Sequence, residues 1–127
     1  MNAFGKLAEA RDARTLREVD YYLARHLLGL VACDSPAVAL AVAALSRALG
    51  EGDTCVALSR LAGGQLFSRE AAPGEAAPPY PGLTAPELAA WRTALQDSGL
   101  VAPTPASPAG YPLVLDATHR LYFARHF

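Results

Sequence analysis

Three histidines, two cysteines and two glycine-rich turns are the residues of this chain whose types could do chemistry. His26, His119 and His126 could ligate a metal or move a proton, but a metal ligand needs company. No carboxylate or second histidine stands three or four residues from His26, so it reads as a partly buried structural histidine at the edge of an apolar stripe. His119 falls in a turn and His126 near the last residue, both exposed. Cys33 and Cys55 have neither CxxC spacing nor a histidine at finger distance. That pattern excludes a zinc finger and leaves two small buried hydrophobes in a reducing environment. No GxSxG elbow is present to support nucleophilic hydrolysis.

Gly50-Glu51-Gly52-Asp53 offers two carboxylates, too few for a calcium loop and repulsive to phosphate. It reads as a helix stop and a tight turn. Gly63-Gly64 lacks the GxxxxGK[ST] context of a nucleotide loop. The residues therefore assign no catalytic, cofactor-binding or metal-binding position.

The elements that would position any site belong to one domain, residues 1–127, by length. A hydrophobic content of 52% with 18% charged residues is that of a globular protein. Eleven basic and twelve acidic residues give a net charge of −1, without the basic excess usual in nucleic-acid binding domains. The first residues, MNAFGKLAEARDAR, mix charges of both signs and are not a signal peptide. The apolar run from Ala37 to Leu45 is far short of the ~20 residues that span a bilayer. A soluble, cytoplasmic protein with no membrane contact is expected.

Along the chain, a short helix is expected from Ala3 to Arg11 with Phe4, Leu7 and Ala8 on one face. Thr15 and Glu18 match a capping box that opens a second helix. Leu16, Val19, Leu23, Leu27 and Leu30 form its expected core stripe, with Arg17, Asp20, Tyr21 and Arg25 on the other side. Ser35 and Pro36 cap a third helix, apolar on every face and therefore central, which Gly50 ends in the left-handed conformation. Thr54 to Leu58 alternates as a short strand, and Ser59 caps a brief helix through Leu66. Residues 68–82, SREAAPGEAAPPYPG, read as a mobile or polyproline-like spacer.

Thr84 and Glu87 match a second capping box, with Leu83 and Leu88 as its hydrophobic staple. The helix they open runs over residues 84–98, buries Leu88, Trp91 and Leu95, and stops at Gly99. PLVLD and LYFAR flank a turn at Asp116 to Arg120 and read as a β-hairpin. The chain runs out on Arg-His-Phe without a polar tail, as the front of a longer protein would. The fold class is α+β, mostly α: a helical domain with a short strand and a C-terminal hairpin, winged-helix-like. In that arrangement the hairpin is the wing and residues 84–98 replace the recognition helix. This helix offers only Arg92 against Glu87 and Asp97, and so few cations give little affinity for DNA.

Three segments carry a family resemblance: PAVALAVAALSRALGEGDTCVALSRL (Pro36 to Leu61), LREVDYYLAR (Leu16 to Arg25) and RLYFAR (Arg120 to Arg125). Together they resemble the N-terminal domain of RecD, the alpha subunit of exodeoxyribonuclease V, the bacterial RecBCD helicase–nuclease. The resemblance implies a non-catalytic assembly domain that docks a 5′–3′ helicase motor onto RecC, and through it RecB, in double-strand-break repair and recombination. It implies that ATP and magnesium belong to motor domains outside these residues, and that DNA is met only through the whole complex. The alternative is a stand-alone winged-helix DNA-binding or regulatory protein. Docking needs a few large aromatic or arginine anchors. The exposed-looking candidates are Tyr21, Tyr22 and Arg25 on the second helix, and Tyr122, Arg125 and Phe127 on the hairpin.

Overall fold

The computed structural model describes residues 4–70, 74, 79–106 and 109–126. Its elements run α1 (Gly5–Asp12), α2 (Glu18–Leu30), α3 (Pro36–Gly50), β1 (Val56–Ala57), α4 (Leu58–Leu61), β2 (Gln65–Leu66), β3 (Leu83–Thr84), α5 (Leu88–Asp97), β4 (Leu113–Leu115) and β5 (Arg120–Phe123). A short 3-10 turn, Ala124–His126, follows β5.

α3 is the axis of the fold. Ser35 Oγ accepts the Val38 amide at 3.4 Å, and Pro36 occupies the first turn, where its missing N–H has no partner to lose. Every residue from Val38 to Ser46 is buried, as an all-apolar helix requires. α2, α5 and β5 pack around it. Trp91 of α5 is fully buried and donates its indole N–H to the Ala37 carbonyl at 2.8 Å. α5 stops at Ser98, and Gly99 follows at φ +84°, the left-handed conformation anticipated there.

The three-stranded antiparallel sheet has the order β1-β5-β4. Val114 faces Tyr122 in the hairpin, and Val56 faces Leu121 on the other side of β5. A strand before two helices that pairs with the second strand of a C-terminal hairpin is winged-helix connectivity, in line with the expected fold class. A separate ribbon, β2 with β3, lies between α4 and α5 and continues through a bridge between Arg69 and Tyr80. The two ends of the expected spacer at 68–82 are therefore paired backbone; its residues 71–73 and 75–78 lie outside the described residues. Gly82, at φ +85°, passes so close to the Leu66 carbonyl that a Cβ there would collide with main chain.

Several local expectations are corrected. α2 opens at Glu18 with Arg17 as its N-cap, and the reciprocal carboxylate is Asp20, which accepts the Arg17 amide at 3.0 Å. Thr15 donates instead to the Ala10 carbonyl. The buried side of α2 is Asp20, Tyr21, Ala24, Leu27 and Leu28, so the expected stripe is turned: Val19 and Leu30 are 55% and 63% exposed. Gly50 is the last residue of α3, and the left-handed glycine is Gly52. β1 is two residues long, and the brief helix ends at Leu61, because Gln65 and Leu66 pair with β3. Thr84 is a strand residue bonded to Gln65, so neither its capping box nor the Leu83–Leu88 staple forms. Pro86 explains the late start of α5: the residue before a proline is driven out of the helical region, and Glu87 becomes the N-cap.

Candidate docking surface

α2 is held to α3 by a buried carboxylate. Asp20 is fully buried, and its two oxygens accept from Arg17 Nη2 at 2.7 Å, Arg17 Nε at 3.2 Å and Ser46 Oγ at 2.6 Å. Arg17 Nη2 also donates to the Ser46 carbonyl at 2.9 Å. The hydrogen bond to Asp20 and its charge raise the Arg17 pKa further above its already high value. A buried charge must be paired and bonded to be tolerated. Meeting that demand with Ser46 of α3 fixes which side of α2 faces inward.

Turning α2 this way sends its second apolar set outward. Among the described residues, the large hydrophobic side chains that stay exposed are Val19, Tyr22, Leu30 and Val31. At 100° per residue Val19, Tyr22, Leu23, His26 and Leu30 fall within one ~100° arc opposite the core. His26 is exposed on this arc, contrary to the partly buried place expected for it. On one flank lies an apolar cavity of about 240 Å³ lined by Leu23, Leu27, Pro112, Phe123, Ala124 and Arg125. This cavity lies between α2 and the end of the hairpin, and of the predicted anchors Arg125 lines it.

On the other flank the aromatic rings are braced by arginines. Tyr21 is only 6% exposed, which corrects its expected exposure. The Arg11 guanidinium lies 4.2 Å from its ring centre and that of Arg25 lies at 5.8 Å, an attraction between cation and ring face. Tyr22 meets Tyr21 edge-on at 5.0 Å and is 52% exposed. Arg25 is exposed. Arg125 is exposed beside the Phe123 ring at 5.5 Å. Phe127 lies outside the described residues.

Tyr122 belongs to a different device. Asp116 Oδ1 accepts from the Thr118 and Arg120 amides and the Thr118 hydroxyl, while Oδ2 accepts the Tyr122 hydroxyl at 3.2 Å. Burial alone would raise the Asp116 pKa, but these hydrogen bonds outweigh it and hold the carboxyl below its usual value of 3.8. Burial first, then Cys55 and Asp116, push the Tyr122 phenol up. Tyr122 is a half-buried strut of the turn, and His119 is half-buried there too at φ 66°.

The helix in the recognition position is poorly made for DNA. Arg92 Nη1 donates to the Asp116 carbonyl at 2.9 Å and lies 3.3 Å from His119 Nδ1, so it is committed to the wing. The exposed side of α5 carries Ala89, Ala90, Thr93, Gln96 and Asp97. Cys33 and Cys55 are half-buried free thiols. Among the described residues, no group of three His, Cys, Asp or Glu side chains could hold a metal, and no helix is long and apolar enough to cross a membrane.

The model of the family described as RecBCD enzyme subunit RecD, N-terminal domain, matches residues 12–122. The chain belongs to this RecD N-terminal domain family. The match runs from the end of α1 into β5 and takes in Val19, Tyr21, Tyr22, Arg25, Leu30 and Tyr122. Arg125 and Phe127 lie beyond it. No curated protein matches the chain. In this RecD domain, sequence reasoning missed Val19, Leu30 and Val31 as surface residues. The available signal was the count of apolar residues on α2, which exceeds what one buried face needs.

Proposed function

We propose that this RecD N-terminal domain is a non-catalytic assembly module that docks the 5′–3′ helicase motor of its subunit onto RecC in double-strand-break repair. One observation carries the reading: the outer face of α2, where Val19, Tyr22 and Leu30 stand exposed along one helix. Contiguous apolar exposure marks an interaction site on a soluble domain. Tyr and Arg beside it are the residue types that dominate interface energetics. The module contributes contact area, while ATP and magnesium act in the motor domains. The setting is cytoplasmic, with RecB reached through RecC and DNA reached through the assembled enzyme.

The experiment is co-purification of the chain with RecC. Tyr22→Ser with Leu30→Ser abolishes retention while the thermal melt is unchanged. Full retention by the double variant would overturn the α2 face as the anchor. Sub-micromolar binding of duplex DNA by the free chain, with a steep salt slope, would instead support a stand-alone winged-helix reader.

A further inference from the structure

Four of the arginines line one cleft, on the edge of the molecule where α2 begins. Arg14, Arg17, Arg47 and Arg69 surround a cavity of about 370 Å³ together with Asp20 and Glu51. Four cations against two carboxylates leave a net positive site on a chain whose overall charge is −1. The four come from separate pieces of chain: the turn between α1 and α2, the cap of α2, the last turn of α3 and the stretch after β2. Arg17 is committed to Asp20. Arg69 is anchored by donating to the Ala13 carbonyl. Arg47 lies over the Phe67 ring at 5.8 Å.

The cleft opens beside a second cavity of about 320 Å³ that shares Arg47, Glu51 and Ser68 with it and has Leu61, Leu66 and Phe67 in its wall. The combined groove is cationic at one end and apolar at the other. We infer that it receives an acidic segment of a partner protein, with a carboxylate at Arg14 and Arg47 and an apolar side chain against Leu61 and Phe67. Guanidinium forks match carboxylates in geometry as well as charge. A polynucleotide suits the groove less well. Its affinity grows with the number of phosphates neutralised along a track, whereas these cations converge on one point of a weakly acidic protein.

The inference rests on the docking reading, because it supplies that partner with a second, charged contact at the N-terminal end of α2. Its test is separate. A fluorescein-labelled peptide of alternating glutamate and leucine is titrated into the 127-residue chain by anisotropy, beside a single-stranded oligonucleotide of equal charge. The peptide binds in a salt-dependent way. Arg14→Gln with Arg47→Gln weakens it about tenfold, and Arg14→Lys with Arg47→Lys restores the affinity only in part, because lysine keeps the charge but lacks the fork. Unchanged melting temperatures show that the variants fold. Absent binding by the native chain, equal binding by the glutamine variant, or tighter binding of the oligonucleotide would overturn the inference. The Tyr22→Ser and Leu30→Ser variant leaves this groove intact, so loss of RecC retention with peptide binding preserved separates the two claims.

Discussion

Asp20 and Ser46, 26 residues apart on α2 and α3, share a 2.6 Å hydrogen bond in the interior, and Arg17 closes the arrangement from the surface. The side chain of Arg17 is 52% exposed whereas that of Asp20 is fully buried. Removing the two partners therefore has unequal effects. Arg17→Ala leaves the buried carboxylate without a cation, held only by the Ser46 hydroxyl and the amide of residue 17, and lowers stability by about 3 kcal/mol. Ser46→Ala removes one hydrogen bond and lowers it by about 1 kcal/mol. Urea denaturation of both variants checks the order.

Gly50→Ala should run against helix propensity. In an open helix the change would stabilise by about 1 kcal/mol. Here a Cβ would fall on the Arg17 guanidinium, which must then leave Asp20 and the Ser46 carbonyl. Gly50→Ala is expected to destabilise the native chain, and to be neutral or stabilising once Arg17 is alanine. A double-mutant cycle in urea reads the coupling directly.

The facing of α2 is open to a comparison of its two sides. Leu28→Ala, on the buried side, lowers stability by about 3 kcal/mol. Val19→Ser and Leu30→Ser, at positions more than half exposed, change it by no more than about 0.5 kcal/mol. Thermal melts of the three variants decide it, and equal losses would return Val19 and Leu30 to the core.

Acid should loosen the wing through Asp116. Its folded pKa lies below the ordinary 3.8, so its contribution is fully present above that value. It is lost as pH falls through the lower folded pKa, because the unfolded chain then binds the proton more readily. Asp116→Asn removes this part of the acid sensitivity and itself destabilises. Melting temperatures of both proteins between neutral pH and the acid limit should converge at the low end.

Trp91 is the chain's single tryptophan and is fully buried, so its emission is expected to be blue-shifted and inaccessible to iodide. Trp91→Phe removes the indole bond to the Ala37 carbonyl, which keeps its partner within α3, and lowers stability by about 1 kcal/mol. Equilibrium unfolding followed by circular dichroism measures that loss without the indole probe.

The parts of the fold that could be read in the sequence are those where local signals had no rival. α3 is apolar on every side, so its burial did not depend on its rotation, and Ser35-Pro36 marks its start alone. The hairpin was legible from its alternation, and Gly99 from its place after Leu95. α2 was not, because it has apolar residues on two faces and a buried aspartate makes the choice between them. Nothing local to Asp20 announces Ser46. Thr84 and Glu87 carry the spacing of a cap, yet pairing with Gln65 and the presence of Pro86 prevail. Of the anchors, Tyr22, Arg25 and Arg125 are exposed as read, while Tyr21 and Tyr122 were recognisable as residue types but not in their surroundings.

The two-sided character of α2 has a consequence in time. In the free chain the outer amides of this helix sit one local opening away from water, so they should exchange hydrogen early. Covered by a partner on that side, the same amides would be reached only when the assembly parts. Their exchange lifetime would then report the residence of the subunit in its machine, a kinetic quantity written into one helix.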